Sequence, residues 1–354
     1  MSSEESTKAR QGRPAAPLKA PAWVRLGMRA LAIGAPPLAA WAGERLFLTP
    51  PRHEAPAREG QALREAAAFE VPFRGGRLRA WRWGGEGAPV LLVHGWGGRG
   101  GQMASFAPSL VAAGLPVVTF DGPAHGRSDG RLASAPDFAA AIRAAVERLH
   151  GVRAVVSHSM GAPATVLALR DGLAVEAAVF VGGSLGPRGF LRQFGQALGL
   201  SETTRAAVAR RLERRFGGGF EAYDVRTDCA AMTIPLLVVH DRLDAEVPFE
   251  QGEAIALAWP GAEMVSTEGL GHGRILRDPA VVARVSDFVA THLGARPPAA
   301  ARPARSAAHH ETRCAAPGCS GTVCPSWDAD GRFCASCALT ADLFDRSARQ
   351  ALTL

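Results

Sequence analysis

The run VVSHSMGAPAT at 155–165 sets Ser159 between His158 and Met160, with the small residues Ser157 and Gly161 two positions to either side. Where an apolar strand turns sharply into a helix, a serine at the turn is presented to solvent, and small flanking residues let strand and helix cross closely. The chemistry this suits is attack on a carbonyl, with the backbone N–H of Met160 as one donor to the resulting oxyanion. Ser157 stands where the G-x-S-x-G pattern has its first glycine, so the motif is weakened but not lost. Small residues after a buried strand also serve packing alone. The elbow therefore needs partners.

They occur in order. PVLLVHGWGG at 89–98 is an apolar strand ending at His94 and Gly95, and the N–H of Trp96 in the following loop can supply a second oxyanion donor. LPVVTFDGPAHGRSDG at 115–130 is another strand, released into a turn at Asp121. IPLLVVHDRLDAEVP at 234–248 delivers Asp244 just beyond its end, and GLGHGRIL at 269–276 holds His272 between glycines. Ser159, Asp244 and His272 thus fall in the sequence serine, acid, histidine. His94, His125 and Asp121 read as packing or turn-forming residues, and His158 either lines the pocket or caps the helix. Cys229 reads as a buried apolar residue.

These segments together resemble the α/β-hydrolase superfamily over residues 65–295. The resemblance implies Ser159 as nucleophile, His272 as general base and then acid, Asp244 as the carboxylate orienting the imidazole, and the N–H groups of Trp96 and Met160 as oxyanion hole. Two departures stand out: Ser157 at the elbow, and His240-Asp241 where many relatives have His-Gly. The second leaves two neighbouring aspartates, and Asp244 is preferred because it precedes the Val247-Pro248 turn.

The intervening elements are those such a site requires. Apolar runs predict strands at 69–74, 77–83, 89–93, 115–120, 153–157, 176–182, 234–240 and 262–266. Helical patterns lie between them, as at 138–150 and 279–293, so an α/β fold with a mostly parallel eight-stranded sheet flanked by helices is expected. Residues 185–230 break the alternation and suit a small helical cap. Phe190, Leu191, Phe194, Leu198 and Leu200 there either line an acyl pocket or simply pack.

Outside this domain the composition changes. Residues 1–21 read as a disordered tail without the character of a secretory leader, and 22–64 as a helical extension. Its apolar stretch is broken by Arg29 and the Pro36-Pro37 pair, so it is read as lying across the domain or on a membrane face and not as a transmembrane segment. An Ala/Pro/Arg linker at 296–312 leads to a Cys-rich segment at 313–345 that holds five of the six cysteines. Cys314, Cys319, Cys334 and Cys337 suit a small zinc knuckle or ribbon resembling short zinc fingers, with Cys324, His309 or His310 as substitute ligands. Such a zinc would be structural. The alternative is a disulfide-bearing tail, which would require export.

A formal net charge of +7 permits contact with anionic surfaces, but with one Tyr in the chain a nucleic-acid partner is poorly supported. A cytoplasmic enzyme cleaving small acyl esters without a catalytic cofactor is expected. A thioesterase, peptidase or acyltransferase on the same scaffold is the alternative, as is a non-catalytic protein using the Cys-rich module to bind a protein partner.

Overall fold

The computed structural model describes residues 20–295. The linker at 296–312, the Cys-rich segment at 313–345 with Cys314, Cys319, Cys324, Cys334 and Cys337, and His309 and His310 lie outside the described residues, as does nearly all of the 1–21 tail. Among the described residues no cluster of His, Cys, Asp or Glu is arranged to hold a metal ion. Cys229 is buried.

Eight strands form one sheet: β1 Ala67–Phe73, β2 Gly76–Trp83, β3 Val90–Val93, β4 Val117–Phe120, β5 Ala154–His158, β6 Ala177–Val181, β7 Leu236–Asp241 and β8 Glu263–Thr267, in the order β1-β2-β4-β3-β5-β6-β7-β8. β2 pairs antiparallel with β1 and β4, and every other pairing is parallel. The central strands are dominated by Val, Leu, Ala and Phe, interrupted by Thr119 in β4 and by Ser157 and His158 at the end of β5, and are buried along their length, as a sheet covered on both faces requires.

The helices are α1 Ala22–Gly34, α2 Pro36–Leu48, α3 Ala57–Arg64, α4 Gly100–Met103, α5 Ala107–Ala112, α6 Ala135–Arg148, α7 Gly161–Arg170, α8 Pro187–Leu198, α9 Glu202–Phe216, α10 Arg226–Cys229, α11 Phe249–Ala258, α12 Gly271–Arg274 and α13 Pro279–His292. Local chemistry sets several ends. Ser134 and Asp278 accept from backbone N–H groups at the starts of α6 and α13, each with a proline in the first turn. Ser201 caps α9, and left-handed Gly199 and Gly217 close α8 and α9.

Register positions the site. Val93 pairs with Ser157, His158 with Val181 and Asp241 with Thr267, so β3, β5, β6, β7 and β8 end along one edge. The loops carrying Trp96, Ser159, Asp244 and His272 all leave from that edge, where open α/β sheets bind ligands.

The α8–α9 pair over this edge has a small core of its own. Leu191, Val208, Leu212 and Phe220 pack there with Leu48 of α2, and Phe47 and Phe194 meet edge to face at 5.3 Å. Leu200 packs against the same cluster and Leu198 is also buried, whereas Phe190 is half-buried. Most of the apolar stripe thus faces the N-terminal extension. The contact is close, since a Cβ on Gly43 would stand 2.6 Å from Val208. The buried Glu44 carboxylate accepts from Arg211 across it.

Candidate active site

Ser159 has φ +54°, a conformation that non-glycine residues adopt at a cost on the order of 1–3 kcal/mol and that the surroundings must enforce. They do so through the backbone. Ser159 N–H donates to Val181 O at 3.1 Å, while Ser159 O accepts from Ala162 N at 3.1 Å and Ser184 N at 3.3 Å. Close approach then dictates two glycines. A Cβ on Gly161 would lie 2.9 Å from Val93 O, and one on Gly95 would lie 2.6 Å from the Ser159 Cβ. Ser157 is accommodated because its hydroxyl lies 2.6 Å from that of Thr165, which itself donates to Gly161 O at 2.9 Å. The serine thus fastens strand to helix at a position where the pattern has glycine.

Two buried imidazoles brace the loop after β3. Gly122 N–H donates to His94 Nε2 at 2.8 Å, which leaves the proton on Nδ1, 2.7 Å from Gly95 O. Gly97 N–H donates to His125 Nε2 at 3.0 Å, and His125 Nδ1 lies 2.8 Å from Pro123 O. Burial is the main reason both rings stay neutral: it takes His125 down to about 4 and His94 well below the ordinary histidine range. The Asp121 carboxylate accepts from Gly100 N at 2.8 Å and Arg127 N at 2.7 Å. These three residues hold the loop on which Trp96 sits. Among the described residues, the backbone N–H groups of Trp96 and Met160 donate to no protein acceptor.

The two aspartates after β7 have different surroundings. Asp244 Oδ2 lies 2.7 Å from His272 Nδ1, while its Oδ1 accepts from Glu246 N at 2.8 Å and Val247 N at 3.0 Å. Burial pushes this carboxyl up, but the His272 hydrogen bond and charge, together with those two N–H groups, outweigh it and hold it below the usual range. Asp241 is turned away from His272. It accepts from Leu243 N, Thr267 Oγ1, Gly269 N and Leu270 N at 2.7–3.2 Å, fastening the end of β7 to the loop that carries the histidine.

His272 sits over the end of β6, where a Cβ on Gly182 would stand 3.3 Å from its Nδ1. His158 lies beside it with ring centroids 4.4 Å apart, and the His158 Nε2–H donates to His272 O at 3.0 Å. Burial, then the neighbouring His272 charge, pushes His158 well below its ordinary range. It is a neutral prop for the His272 backbone. The structure brings Asp244 and His272 into direct contact and sets Ser159 at the same edge, one residue beyond the β5 partner of Val181. No hydrogen bond joins Ser159 Oγ to His272 among the described residues. The props supplied by His158, Asp241 and Thr165 escaped the sequence reading, because each works through a partner remote in the chain or through a backbone atom.

The family profile described as "Alpha/beta hydrolase family" matches residues 90–285. A "Serine hydrolase-like protein" of Danio rerio is 36% identical over 104 residues, 28% of this chain and 32% of that protein. The chain therefore spans about a third of the length of that relative. Two solved structures have the same fold: an esterase from Exiguobacterium antarcticum (TM-score 0.50, 17% identity, covering 63% of this chain and 99% of that one) and an alpha/beta hydrolase fold protein from Burkholderia ambifaria (TM-score 0.50, 24% identity, covering 62% and 97%).

Proposed function

Because the chain belongs to the alpha/beta hydrolase family, we propose that it is a serine hydrolase that cleaves carboxylic esters through an acyl-enzyme. The observation that carries this reading is the 2.7 Å contact of Asp244 with His272 Nδ1 at the edge where Ser159 is held in the left-handed elbow. With Nδ1–H fixed on the carboxylate, His272 Nε2 is left as the base. It takes the Ser159 proton as Oγ attacks the carbonyl, and Asp244 stabilises the imidazolium that forms. The N–H groups of Trp96 and Met160 meet the oxyanion as charge develops on it. His272 then protonates the leaving alcohol, and water repeats the cycle on the acyl-serine. Esters are favoured as the substrate class; thioesters call on the same groups.

The test is labelling by a fluorophosphonate probe, with the modified residue identified by mass spectrometry. Labelling at Ser159 that is lost in Ser159→Ala and retained in Ser157→Ala is the expected result. Folded protein that takes no label, or labels elsewhere, overturns the assignment. Turnover of p-nitrophenyl esters against acyl-thioesters then ranks the two substrate classes.

A further inference from the structure

Six of the eight large apolar side chains that stand exposed among the described residues lie on α1 and α2. Trp23 is 78% exposed, Leu26 69% and Ile33 86%, and Leu38 and Trp41 continue the face on α2. Trp23, Leu26 and Ile33 recur at the three- and four-residue spacing, with Ala30, that makes one helical stripe. Such a concentration of exposed apolar surface marks something that covers it. α1 has no acid, and the single acid of α2, Glu44, is buried and paired with Arg211. Exposed Arg29 and Arg45 flank the stripe. Together with α8 and α9, against which this hairpin packs, the four helices carry ten arginines and three glutamates, one of which is the buried Glu44.

We infer that the α1–α2 hairpin is a surface anchor for an anionic lipid bilayer, lying in the headgroup layer with its apolar stripe toward the acyl chains. Each helix has 13 residues, about 20 Å of length against a hydrocarbon core of roughly 30 Å. No helix among the described residues is long and apolar enough to cross. Tryptophans on the apolar face and arginines at its rim are the side chains an interfacial helix uses. The charge also selects among occupants. Two copies of this chain meeting through the hairpin would press like-charged surfaces together, whereas anionic headgroups neutralise them. The cap is fixed to the same hairpin, so docking would hold the cap close to the bilayer.

The experiment is flotation of the full chain with phosphatidylglycerol vesicles and, separately, with phosphatidylcholine vesicles, alongside a solution mass measurement. Binding to the anionic vesicles is expected, weaker in high salt and on phosphatidylcholine. The triple variant Trp23→Ser/Leu26→Ser/Ile33→Ser is expected to bind at least roughly tenfold less, with an unchanged melting temperature because these side chains face solvent. Arg29→Glu/Arg45→Glu is expected to lose the preference for anionic vesicles, and Ser159→Ala to bind like the wild type. The inference is overturned if the wild type does not float, if the triple variant floats equally well, which would place binding in the arginine-bearing termini, or if the triple variant converts a dimer to a monomer while the wild type ignores vesicles.

Discussion

Replacing Asp244 by asparagine alters one end of a single side chain, and its orientation can be foreseen. The N–H groups of Glu246 and Val247 both point at Oδ1, at 2.8 and 3.0 Å, so the amide oxygen stays there and the NH2 group takes the Oδ2 position, 2.7 Å from His272 Nδ1. An NH2 there donates to Nδ1, which moves the imidazole proton to Nε2 and leaves no base facing Ser159. The loss expected in kcat is on the order of 10^4-fold, with residual activity from the oxyanion donors. That is about 5.5 kcal/mol of transition-state stabilisation at roughly 1.4 kcal/mol per tenfold. The fold should tolerate the change, because both backbone bonds at Oδ1 survive. Asp241→Asn is the matched control. Its NH2 group would face the Leu270 N–H or the Leu243 and Gly269 N–H groups, leaving a donor unsatisfied at a cost of roughly 1–3 kcal/mol for each. It should lower the melting temperature and leave kcat within about tenfold wherever the protein is folded. The assay is p-nitrophenyl ester hydrolysis paired with thermal unfolding of both variants. Asp244→Asn activity within tenfold of wild type, or a kcat collapse confined to Asp241→Asn, would refute the assignment.

Three further outcomes are expected. The folded chain holds His125 at about 4 while an unfolded histidine titrates near 6.5, so between those values the unfolded state binds the extra proton and stability falls as pH drops; the decline is on the order of 3 kcal/mol by the bottom of the window, and a flat melting temperature from pH 6.5 to 4 counts against the neutral brace. Gly95→Ala places a Cβ 2.6 Å from that of Ser159 and should cost about 1–3 kcal/mol of stability together with most of the ester turnover, which thermal melts and initial rates would show. For the Cys-rich segment at 313–345 the reading stays a structural zinc on Cys314, Cys319, Cys334 and Cys337; metal analysis of chain purified under reducing conditions should give one zinc per protein, lost in Cys334→Ser/Cys337→Ser, and metal-free wild type would end that reading.

The sheet was legible because its strands are written locally. Runs such as VLLV and LLVVHD are short, rich in valine and bounded by turn residues, which favours covered strands over buried helix, and the eight observed strands lie within about two residues of those expected at each end. For the site, the sequence offers residue types in order, each just after a strand; the distances that join them come from the register of parallel strands, which no local pattern contains. The difference between Asp241 and Asp244 turns on bonds to Thr267, Leu270 and His272, all in a later loop. The least legible part was the N-terminal extension. Its apolar residues divide between a buried set, such as Met28 and Leu48, and an exposed set, such as Trp23 and Ile33, and only the packing of α1 on α2 and α8 and of α2 on α9 separates the two. Glu44 carries no local sign that its partner is Arg211.

That packing has a consequence for anyone moving specificity between relatives. Residues of α2 and of the α8–α9 pair share one apolar cluster, sealed by Glu44 and Arg211, although more than a hundred positions separate them in the chain. The transferable unit is therefore discontinuous. A chimera that grafts a foreign cap at 187–216 while keeping this N-terminus would set Leu48 and Glu44 against strangers, and one that begins the chain at the first strand would open the cap's apolar floor to water. Recombination of this scaffold has to carry both pieces together or neither.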